Sequence, residues 1–354
     1  MRLIVTAGGT GGHIFPALAL AEELRSMGHT VLFIGSSSGP EAVKAAAAGF
    51  EFLGMDVKGF DRNDIGKALK ALFMFPMSVL GAVKAVGVFR PDGVIGCGGY
   101  ASGPSCIAAL LKGVPVFLLE QNVFPGLVTR TLAKMARRVY TSFSGSTEWL
   151  KGADVILAGN PVRGDFKAPS ARDFNAGEKT LLVMGGSQGA RSINRAMVDA
   201  LPFLKGLKLK IIHQTGAADA SAVKAAYADK MPDAVVSPFF DDMAAKMRQA
   251  HLAVARAGAS TCAELEMTAL PALLVPFPGA GGHQKLNAKA LEESGAAVVM
   301  DDSRISGESL SERIKELLAD TAGLEKMSAC ARENAKPRAA EFISRDIVTI
   351  LGGA

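Results

Sequence analysis

The segment RLIVTAGGTGGH, residues 2–13, decides the fold. Its first half, Arg2–Ala7, is a short apolar run that predicts a buried strand, and Gly8–Gly12 predicts a tight turn. A helix should follow over Phe15–Met27, because apolar residues recur there at helical spacing and a glycine ends the pattern. Thr30–Ile34 predicts the next strand. This strand–helix–strand order indicates a parallel sheet covered by helices.

The segment KTLLVMGGSQGA, residues 179–190, repeats the pattern in the second half of the chain. An apolar strand over Lys179–Met184 runs into a glycine turn, and a helix should begin near Arg191. The repetition predicts a second domain of the same architecture, which agrees with a length of 354 residues.

We therefore predict two doubly wound, Rossmann-like α/β domains, 1–160 and 161–337, that face a common cleft. The stretch Asn160–Glu178 contains prolines and glycines with few apolar residues, so it is the predicted linker. A last helix within 338–354 could return to the first domain.

Composition excludes several classes of protein. The formal net charge of +5 suits anionic ligands or acidic lipid surfaces but is too diffuse to predict nucleic-acid binding. Four scattered cysteines, without a Cys-x-x-Cys pair, predict a reduced cytoplasmic protein with neither disulfides nor a zinc site. The chain enters its first strand at once, so a secretory signal is not expected.

Both glycine turns lie between a strand and a helix, where backbone amides can approach an anion. A dinucleotide site is a poor match, because Ile14 replaces the third small residue and no acidic residue ends the second strand. A P-loop is excluded since neither turn ends in Gly-Lys-Ser/Thr. Ordinary tight turns remain the alternative, and two matched turns favour anion binding.

The segment Arg256–Glu264 joins a predicted strand, Leu252–Ala255, to a helix. Its hydroxyls and amides could meet a diphosphate, and Glu264 could accept hydrogen bonds from both hydroxyls of a ribose. Alternatively, Thr261 and Glu264 match a capping box, in which the carboxylate serves backbone donors only. Spacing alone does not separate these two roles.

Three other segments follow or begin at the ends of strands. His283–Ala288 opens a helix after a strand predicted to end at Phe277, and it suits either sugar hydroxyls or a solvated first turn. His13 could be a general base, a phosphate donor or an ordinary residue at a helix start. Glu120–Asn122 follows a buried strand, where ligands gather in parallel sheets.

An apolar run over Leu72–Val83 is flanked by Lys67, Lys70 and Lys84. It is shorter than the roughly 20 residues of a spanning helix. The run predicts either a patch that lies in a membrane interface or a buried core helix. Its apolar side chains include Leu72, Phe73, Phe75, Met77, Val79 and Leu80.

Eight segments of the chain form a recognisable series: Gly8–His13 with Pro16, Gly98–Pro104, Glu120–Asn122, Gly159–Arg163, Gly185–Ala190, Phe239–Met243, Arg256–Glu264 and Gln284–Ala288. In this order they resemble the motifs of the MurG family, the GT-B-fold N-acetylglucosaminyltransferases that convert lipid I to lipid II in peptidoglycan synthesis. The resemblance covers essentially the whole chain. It departs from the family at Gly281-Gly282, where a charged residue is usual, and at Ala257, where Ser or Thr is usual.

The resemblance implies that the C-terminal domain holds UDP-N-acetylglucosamine. Glu264 would take the ribose and Gln284 the sugar, and the backbone of Phe240 would contact the edge of the uracil. Ala259–Thr261 with Ser187 would lie near the diphosphate. The implied substrate-binding residues are Thr10, Gly11, Gly12, Asn122, Arg163, Ser187, Phe240, Met243, Ala259, Ser260, Thr261, Cys262, Ala263, Glu264 and Gln284, with Tyr100 on the acceptor side.

The implied reaction is an inverting transfer of N-acetylglucosamine to the 4-hydroxyl of a polyprenyl-diphosphate-linked muramyl peptide. His13 is the predicted base, and neither a cofactor nor a metal is expected because no pair of acidic residues has metal-ligand spacing. The enzyme should act at the cytoplasmic face of the membrane as a peripheral protein. A UDP-N-acetylglucosamine epimerase of the same architecture and a non-catalytic UDP-sugar sensor are the alternatives.

Overall fold

The computed structural model describes residues 1–57, 65–166, 172–186 and 188–353, and for 65–73 and Ala280 it describes the backbone alone. The chain forms two compact units. The first comprises Met1–Arg163 with Pro337–Ala354, and the second comprises Gly164–Lys336. The observed boundary lies three residues after the predicted one.

The first unit is built on a seven-stranded parallel sheet. Its strands are β1 (Arg2–Thr6), β2 (Thr30–Ser36), β3 (Glu51–Met55), β4 (Gly93–Gly96), β5 (Val116–Glu120), β6 (Arg138–Thr141) and β7 (Val155–Leu157), in the order β3-β2-β1-β4-β5-β6-β7. Its helices are α1 (Gly11–Ser26), α2 (Pro40–Ala47), α3 (Ile65–Phe89), α4 (Ser102–Leu111) and α5 (Leu127–Leu132), with a 3₁₀ turn at Ser144–Trp149.

The second unit repeats this architecture with six parallel strands. They are β8 (Lys179–Met184), β9 (Leu209–Gln214), β10 (Val235–Ser237), β11 (Leu252–Ala255), β12 (Ala272–Leu274) and β13 (Ala297–Val299), in the order β10-β9-β8-β11-β12-β13. The helices are α6 (Arg191–Leu204), α7 (Ala220–Lys230), α8 (Met243–Gln249), α9 (Ala259–Met267), α10 (His283–Glu293), α11 (Gly307–Ala319) and α12 (Thr321–Asn334), with short 3₁₀ turns at Gly164–Phe166, Ala280–Gly282 and Asp302–Arg304.

The central strands are predominantly apolar because helices cover both faces of each sheet. Every residue of β11 and β5 is buried. Two apolar clusters lie against the first sheet, one containing Val5 and Phe33 and the other containing Ile4 and Leu32, which are their neighbours along the strands. The alternation shows that the two clusters occupy opposite faces.

Two predicted ends of secondary-structure elements differ from the observed ones by more than two residues. The helix predicted to begin at Phe15 begins at Gly11, because Thr10 takes the extended N-cap conformation (φ −127°, ψ 160°) and the glycines of the turn are already helical. The strand predicted to end at Phe277 ends at Leu274, although the apolar sequence continues beyond that point.

The final helix, α13 (Ala339–Gly352), belongs to the first unit. Ile343 and Ile347 are fully buried within the cluster that contains Val5. The Asp346 carboxylate accepts hydrogen bonds from the Arg138 guanidinium at 2.8 and 3.0 Å and from the Tyr140 hydroxyl at 2.7 Å. A segment that follows the second unit in the sequence therefore completes the first.

The apolar run lies in α3, which is longer than the run itself. Ser78, Ala82, Val86 and Phe89 form its buried side. Met77, Leu80, Lys84 and Val88, which we term the α3 stripe, are exposed at a spacing of three and four residues and so share one face. Among the described residues, no helix has the length and apolar composition needed to cross a bilayer. The side chains of Lys67, Lys70, Leu72 and Phe73 lie outside the described residues.

Candidate active site

The β1–α1 and β4–α4 loops of the first unit approach each other through glycines. A Cβ at Gly99 (φ +76°) would lie 1.9 Å from the carbonyl oxygen of Gly8, so any larger residue would separate the loops. A Cβ at Gly9 would lie 3.3 Å from the Tyr100 ring. The structure thus brings the predicted acceptor residue Tyr100 against the first glycine turn.

His13 is held between these same two loops. It is the third residue of α1 and is half-buried. Its Nδ1 lies 3.5 Å from the Thr10 hydroxyl, and its ring edge leaves no room for a Cβ at Gly98, which would lie 2.6 Å away. An imidazole fixed in this way at the carboxyl edge of a sheet is suited to accepting a proton from a bound hydroxyl.

Glu120 organises the loop that carries Asn122. Its buried carboxylate accepts hydrogen bonds from the backbone amides of Asn122 at 3.0 Å and Gly126 at 2.9 Å. The Ser146 hydroxyl donates to the carbonyl of Asn122 at 2.9 Å. Glu120 therefore acts on the position of Asn122, a role that the sequence alone did not reveal.

Arg163, which ends the first segment of the first unit, contacts helix α1 through the Phe15 ring. Its guanidinium lies 4.9 Å from the centroid of the Phe15 ring, and the Lys44 ammonium lies 4.7 Å from the same centroid. Such cation–π contacts hold a charged group in place while it remains half-buried. Thr10, Tyr100 and Asn122 lie in the loops that follow β1, β4 and β5, and His13 lies in the first turn of α1. Arg163 contacts Phe15 of that same helix.

In the second unit, the β8–α6 glycine loop rests on the end of β9. A Cβ at Gly189 (φ +77°) would lie 2.2 Å from the carbonyl oxygen of Thr215. The Asn194 side chain, in the first turn of α6, donates to that same carbonyl at 2.9 Å. Ser187, predicted to lie near a diphosphate, falls outside the described residues.

The capping-box interpretation of Glu264 is wrong. Helix α9 begins at Ala259 with Gly258 as its N-cap, and no side chain caps it. Thr261 is therefore the third helical residue and Glu264 the sixth, one turn beyond the cap. The Glu264 carboxylate is half-buried and does not form the capping box with Thr261.

The start of α9 offers backbone amides more than side chains. Ala259 and Cys262 are buried, whereas Ser260, Thr261 and Ala263 are half-buried. Burial raises the pKa of the Cys262 thiol well above its usual range, so this side chain is neutral and unreactive. Of the segment predicted to bind substrate, the amides of the first turn and the hydroxyls of Ser260 and Thr261 suit an anion.

Arg256 links several loops at the edge of the second sheet, and its importance was missed from sequence. Its buried guanidinium donates to Asp302 at 2.6 Å, to the carbonyl of Val275 at 3.0 Å and to the Ser192 hydroxyl at 2.8 Å. Asn287 acts similarly, since its buried amide donates to the carbonyl of Ala257 at 3.2 Å. These contacts fix the loop before α9 from both sides.

Gln284 is the second residue of α10, and its side-chain carbonyl accepts the backbone amide of Phe277 at 3.0 Å. The two glycines before this helix, Gly281 and Gly282, both have left-handed backbone conformations (φ +72° and +77°). Glycine adopts these conformations without the steric strain that a side chain would add, which explains why both positions are glycine.

Phe240 and Met243 lie in and directly after the β10–α8 loop. Met243 is buried as the first residue of α8, and Phe240 is half-exposed. The Phe240 backbone amide donates to the Gln214 side-chain carbonyl at 3.0 Å. A nucleobase that accepts a hydrogen bond from the Phe240 amide would have to share that amide with the Gln214 side chain or displace it.

Within the described ranges, no three His, Cys, Asp or Glu side chains are grouped so that they could hold a metal ion.

Comparison with known proteins places both units in one family. The model of the glycosyltransferase family 28 N-terminal domain matches residues 3–141, and that of the C-terminal domain matches residues 180–343. A relative from Syntrophus aciditrophicus is 41% identical over 337 residues, covering 94% of this chain and 93% of its own length. That relative is a UDP-N-acetylglucosamine--N-acetylmuramyl-(pentapeptide) pyrophosphoryl-undecaprenol N-acetylglucosamine transferase.

Two solved structures define how far the likeness extends. The crystal structure of Acinetobacter baumannii MurG has a TM-score of 0.81 and 30% identity, covering 98% of this chain and 99% of that one. A UDP-GlcNAc 2-epimerase from Neisseria meningitidis has a TM-score of 0.69 but 13% identity over 99% of this chain, so it shares the fold alone. The chain is a glycosyltransferase with the GT-B fold, and it belongs to glycosyltransferase family 28.

Proposed function

We propose that this enzyme transfers N-acetylglucosamine from UDP-N-acetylglucosamine to undecaprenyl-diphosphate-linked N-acetylmuramyl pentapeptide, which converts lipid I to lipid II. The observation that carries the proposal is the start of α9, where a helix capped only by Gly258 presents its first amides and Glu264 stands one turn further on without a capping role. Identity of 41% to a transferase of this specificity supports the choice of both substrates.

The second unit binds the donor in this proposal. Glu264 accepts hydrogen bonds from the ribose hydroxyls, and the amides at Ala259–Thr261 contact the diphosphate, with Ser187 nearby. Phe240 and Met243 lie beside the uracil, and Gln284 contacts the sugar. The positive ends of α6 and α9, both of which follow glycine turns, favour the negative charge that grows on the departing diphosphate.

The first unit supplies the acceptor residues and the base. The acceptor 4-hydroxyl attacks the anomeric carbon on the face opposite the diphosphate, and the new C–O bond forms as the bond to the UDP oxygen breaks. The leaving UDP keeps the electron pair, and His13 takes the hydroxyl proton. Tyr100, on the acceptor side, lies beside the glycine turn that precedes His13. Thr10, Gly11, Gly12, Asn122 and Arg163 are the substrate-binding residues that this unit contributes.

No divalent metal takes part in this proposal, because helix amides and glycine turns stabilise the diphosphate. We expect transfer to persist in excess EDTA. An absolute requirement for Mg²⁺ or Mn²⁺ in that assay would contradict this account of charge stabilisation.

The acceptor is anchored in lipid, so the enzyme works as a peripheral protein at the cytoplasmic face of the membrane. The α3 stripe supplies apolar side chains with Met77, Leu80 and Val88 between 69% and 77% exposed, and Lys84 adds positive charge within it. An exposed apolar strip with a basic residue is typical of interfacial contact with anionic lipid.

A single assay tests the reaction. Purified enzyme is incubated with labelled UDP-N-acetylglucosamine and a lipid-I analogue, and the expected product is the labelled disaccharide lipid, formed only when the acceptor is present. His13→Ala should lose most of the rate, by roughly 10²–10⁴-fold for a general base, while keeping affinity for UDP. Epimerised UDP-sugar without an acceptor would indicate an epimerase, and binding without any product would indicate a sensor.

A further inference from the structure

Gln214, the last residue of β9, joins two loops of the second unit through one side chain. Only 3% of its surface is exposed. Its side-chain nitrogen donates to the carbonyl of Gly186 in the β8–α6 loop at 3.2 Å, and its side-chain oxygen accepts the backbone amide of Phe240 in the β10–α8 loop at 3.0 Å. Both ends of the carboxamide are thus used, each by a different loop.

The chemistry of this bridge requires an amide. One partner is a carbonyl, which needs a donor, and the other is an N–H, which needs an acceptor. Gly186 has a left-handed conformation (φ +79°), and its carbonyl meets Gln214 in that conformation. A carboxylate would set an acceptor against an acceptor at Gly186, and an apolar side chain would satisfy neither loop.

We propose that Gln214 is a positioning residue that sets the distance between the part of the donor site that contacts the base and the part that contacts the diphosphate. The proposal rests on the proposed function, in which Phe240 lies beside the uracil and the glycine loop beside the diphosphate. These groups are opposite ends of one covalently connected ligand, so the spacing of the two loops must match its length. If a side chain already fixes the spacing of the two loops, less conformational entropy is lost when the ligand binds, and the affinity for the ligand is higher.

Other contacts keep the glycine loop seated when Gln214 is changed. Gly189 packs against the backbone of Thr215, and Asn194 donates to the Thr215 carbonyl. Asn194 is itself held by the buried His213 at 3.0 Å. Loss of the Gln214 bridge should therefore loosen the spacing between the loops and leave the unit folded.

The experiment compares ligands that contact one loop or both. Gln214→Met has a similar shape without hydrogen bonds, and Gln214→Glu keeps an acceptor for Phe240 but not the donor for Gly186. Gln249→Leu, at an exposed position at the end of α8, is the matched control. Calorimetric titration with UDP and with uridine, a melting curve, and steady-state kinetics are measured for each.

For Gln214→Met we expect the Kd for UDP and the donor KM to rise about tenfold, while kcat and the Kd for uridine change by less than about threefold. Gln214→Glu should show the same difference between the two ligands. A folded variant with unchanged affinity for UDP, or with equal losses for UDP and uridine, would overturn the proposal. Failure of the unmodified enzyme to bind UDP would instead count against the proposed function.

Discussion

At the scale of the residue, two glutamates of α9 have different surroundings. Glu264 is half-buried, one turn beyond a helix start that suits a diphosphate. Burial raises the pKa of the Glu266 carboxyl to about 7, although the nearby Lys336 opposes the shift. One glutamate is thus suited to a ligand, and the other influences the pH dependence of stability.

Replacement of Glu264 tests the donor assignment. Glu264→Gln should raise the Kd for UDP by about 10- to 100-fold, because a charged hydrogen bond to a ribose hydroxyl is worth roughly 1.5–3 kcal/mol. Isothermal titration measures the affinity, and a melting curve verifies the fold. Glu325→Gln, an exposed glutamate on α12, is the control and should bind UDP normally. Unchanged affinity in a folded Glu264→Gln variant would exclude ribose binding.

Glu266 should make the enzyme less stable as pH rises. Its folded-state pKa, about 7, lies above the ordinary value of 4.5, so the folded state holds the proton more tightly. Its contribution to the free energy of unfolding is therefore complete below about pH 4.5 and is lost as pH rises through 7. As pH rises from 5 to 8, the free energy of unfolding of Glu266→Gln should increase by about 2–3 kcal/mol relative to that of the unmodified enzyme.

Urea unfolding of both proteins at pH 5, 7 and 8 measures this difference. A constant difference between them across that range would mean that Glu266 titrates normally in the folded enzyme.

The residues that sequence reasoning missed share a physical cause. Gln214, Arg256 and Asn287 all form hydrogen bonds with backbone carbonyls or amides of distant loops. A sequence motif does not reveal such partners, because every residue has the same backbone groups. Gln214 ends a buried strand and Arg256 directly follows one. A polar side chain at the end of an apolar strand was the signal available. The glycine turns were predictable because glycine itself is the requirement.

At the scale of the element, α3 shows why an apolar run admits two interpretations. One side of the helix is buried as a core helix would be, and the α3 stripe is exposed as an interfacial helix would be. Helical periodicity separates polar from apolar faces, but here both faces are apolar, so the sequence pattern could not assign them. The end of β12 was mispredicted because the apolar sequence continues past the point where strand pairing stops. The start of α1 was mispredicted because its first two residues are glycines of the turn.

The α3 stripe should bind anionic vesicles. Met77 and Leu80 are 73% and 69% exposed, so Met77→Ser with Leu80→Ser should keep the fold and greatly reduce flotation with vesicles rich in anionic lipid. Binding of the unmodified enzyme should weaken at high salt, since each basic residue near the surface contributes about 1 kcal/mol and is screened. Val43→Ser on α2, at a residue 74% exposed, is the control.

Undiminished flotation by the folded double variant would place the membrane contact elsewhere. UDP affinity should be unchanged in both variants, because the proposed uracil, ribose and diphosphate contacts lie in the second unit.

At the scale of the whole molecule, α13 makes the first unit discontinuous in sequence. The two-domain organisation could be predicted from the repeated strand–glycine–helix pattern. The unit that receives the last helix could not, because an apolar helix face fits many partners. The decisive contacts are the pairing of Asp346 with Arg138 and Tyr140, which are more than 200 positions away.

Removal of the Asp346 carboxylate should destabilise the first unit selectively. Asp346→Ala removes a hydrogen-bond acceptor from the partly buried Arg138 guanidinium and from the buried Tyr140 hydroxyl. The free energy of unfolding should fall by about 2–4 kcal/mol as a result. Arg345→Ala, which removes an exposed ion pair with Glu341 on the same helix, should cost less than about 1 kcal/mol. Differential scanning calorimetry with and without UDP identifies the unfolding transition of the second unit. Asp346→Ala should lower the transition temperature of the first unit and leave that of the second unit unchanged. An equal shift of both transitions would contradict this assignment.

The discontinuity also has a consequence for biosynthesis. A ribosome that has completed Met1–Arg163 must translate the whole of Gly164–Lys336 before α13 emerges, a delay on the order of ten to thirty seconds. Throughout that interval the nascent first unit has no Ile343 or Ile347 to cover the apolar surface that these side chains bury. The second unit, continuous in sequence, is free to fold during the delay. The first unit is therefore translated first but completes its fold last. During the delay it is the unit whose exposed apolar surface needs protection from aggregation.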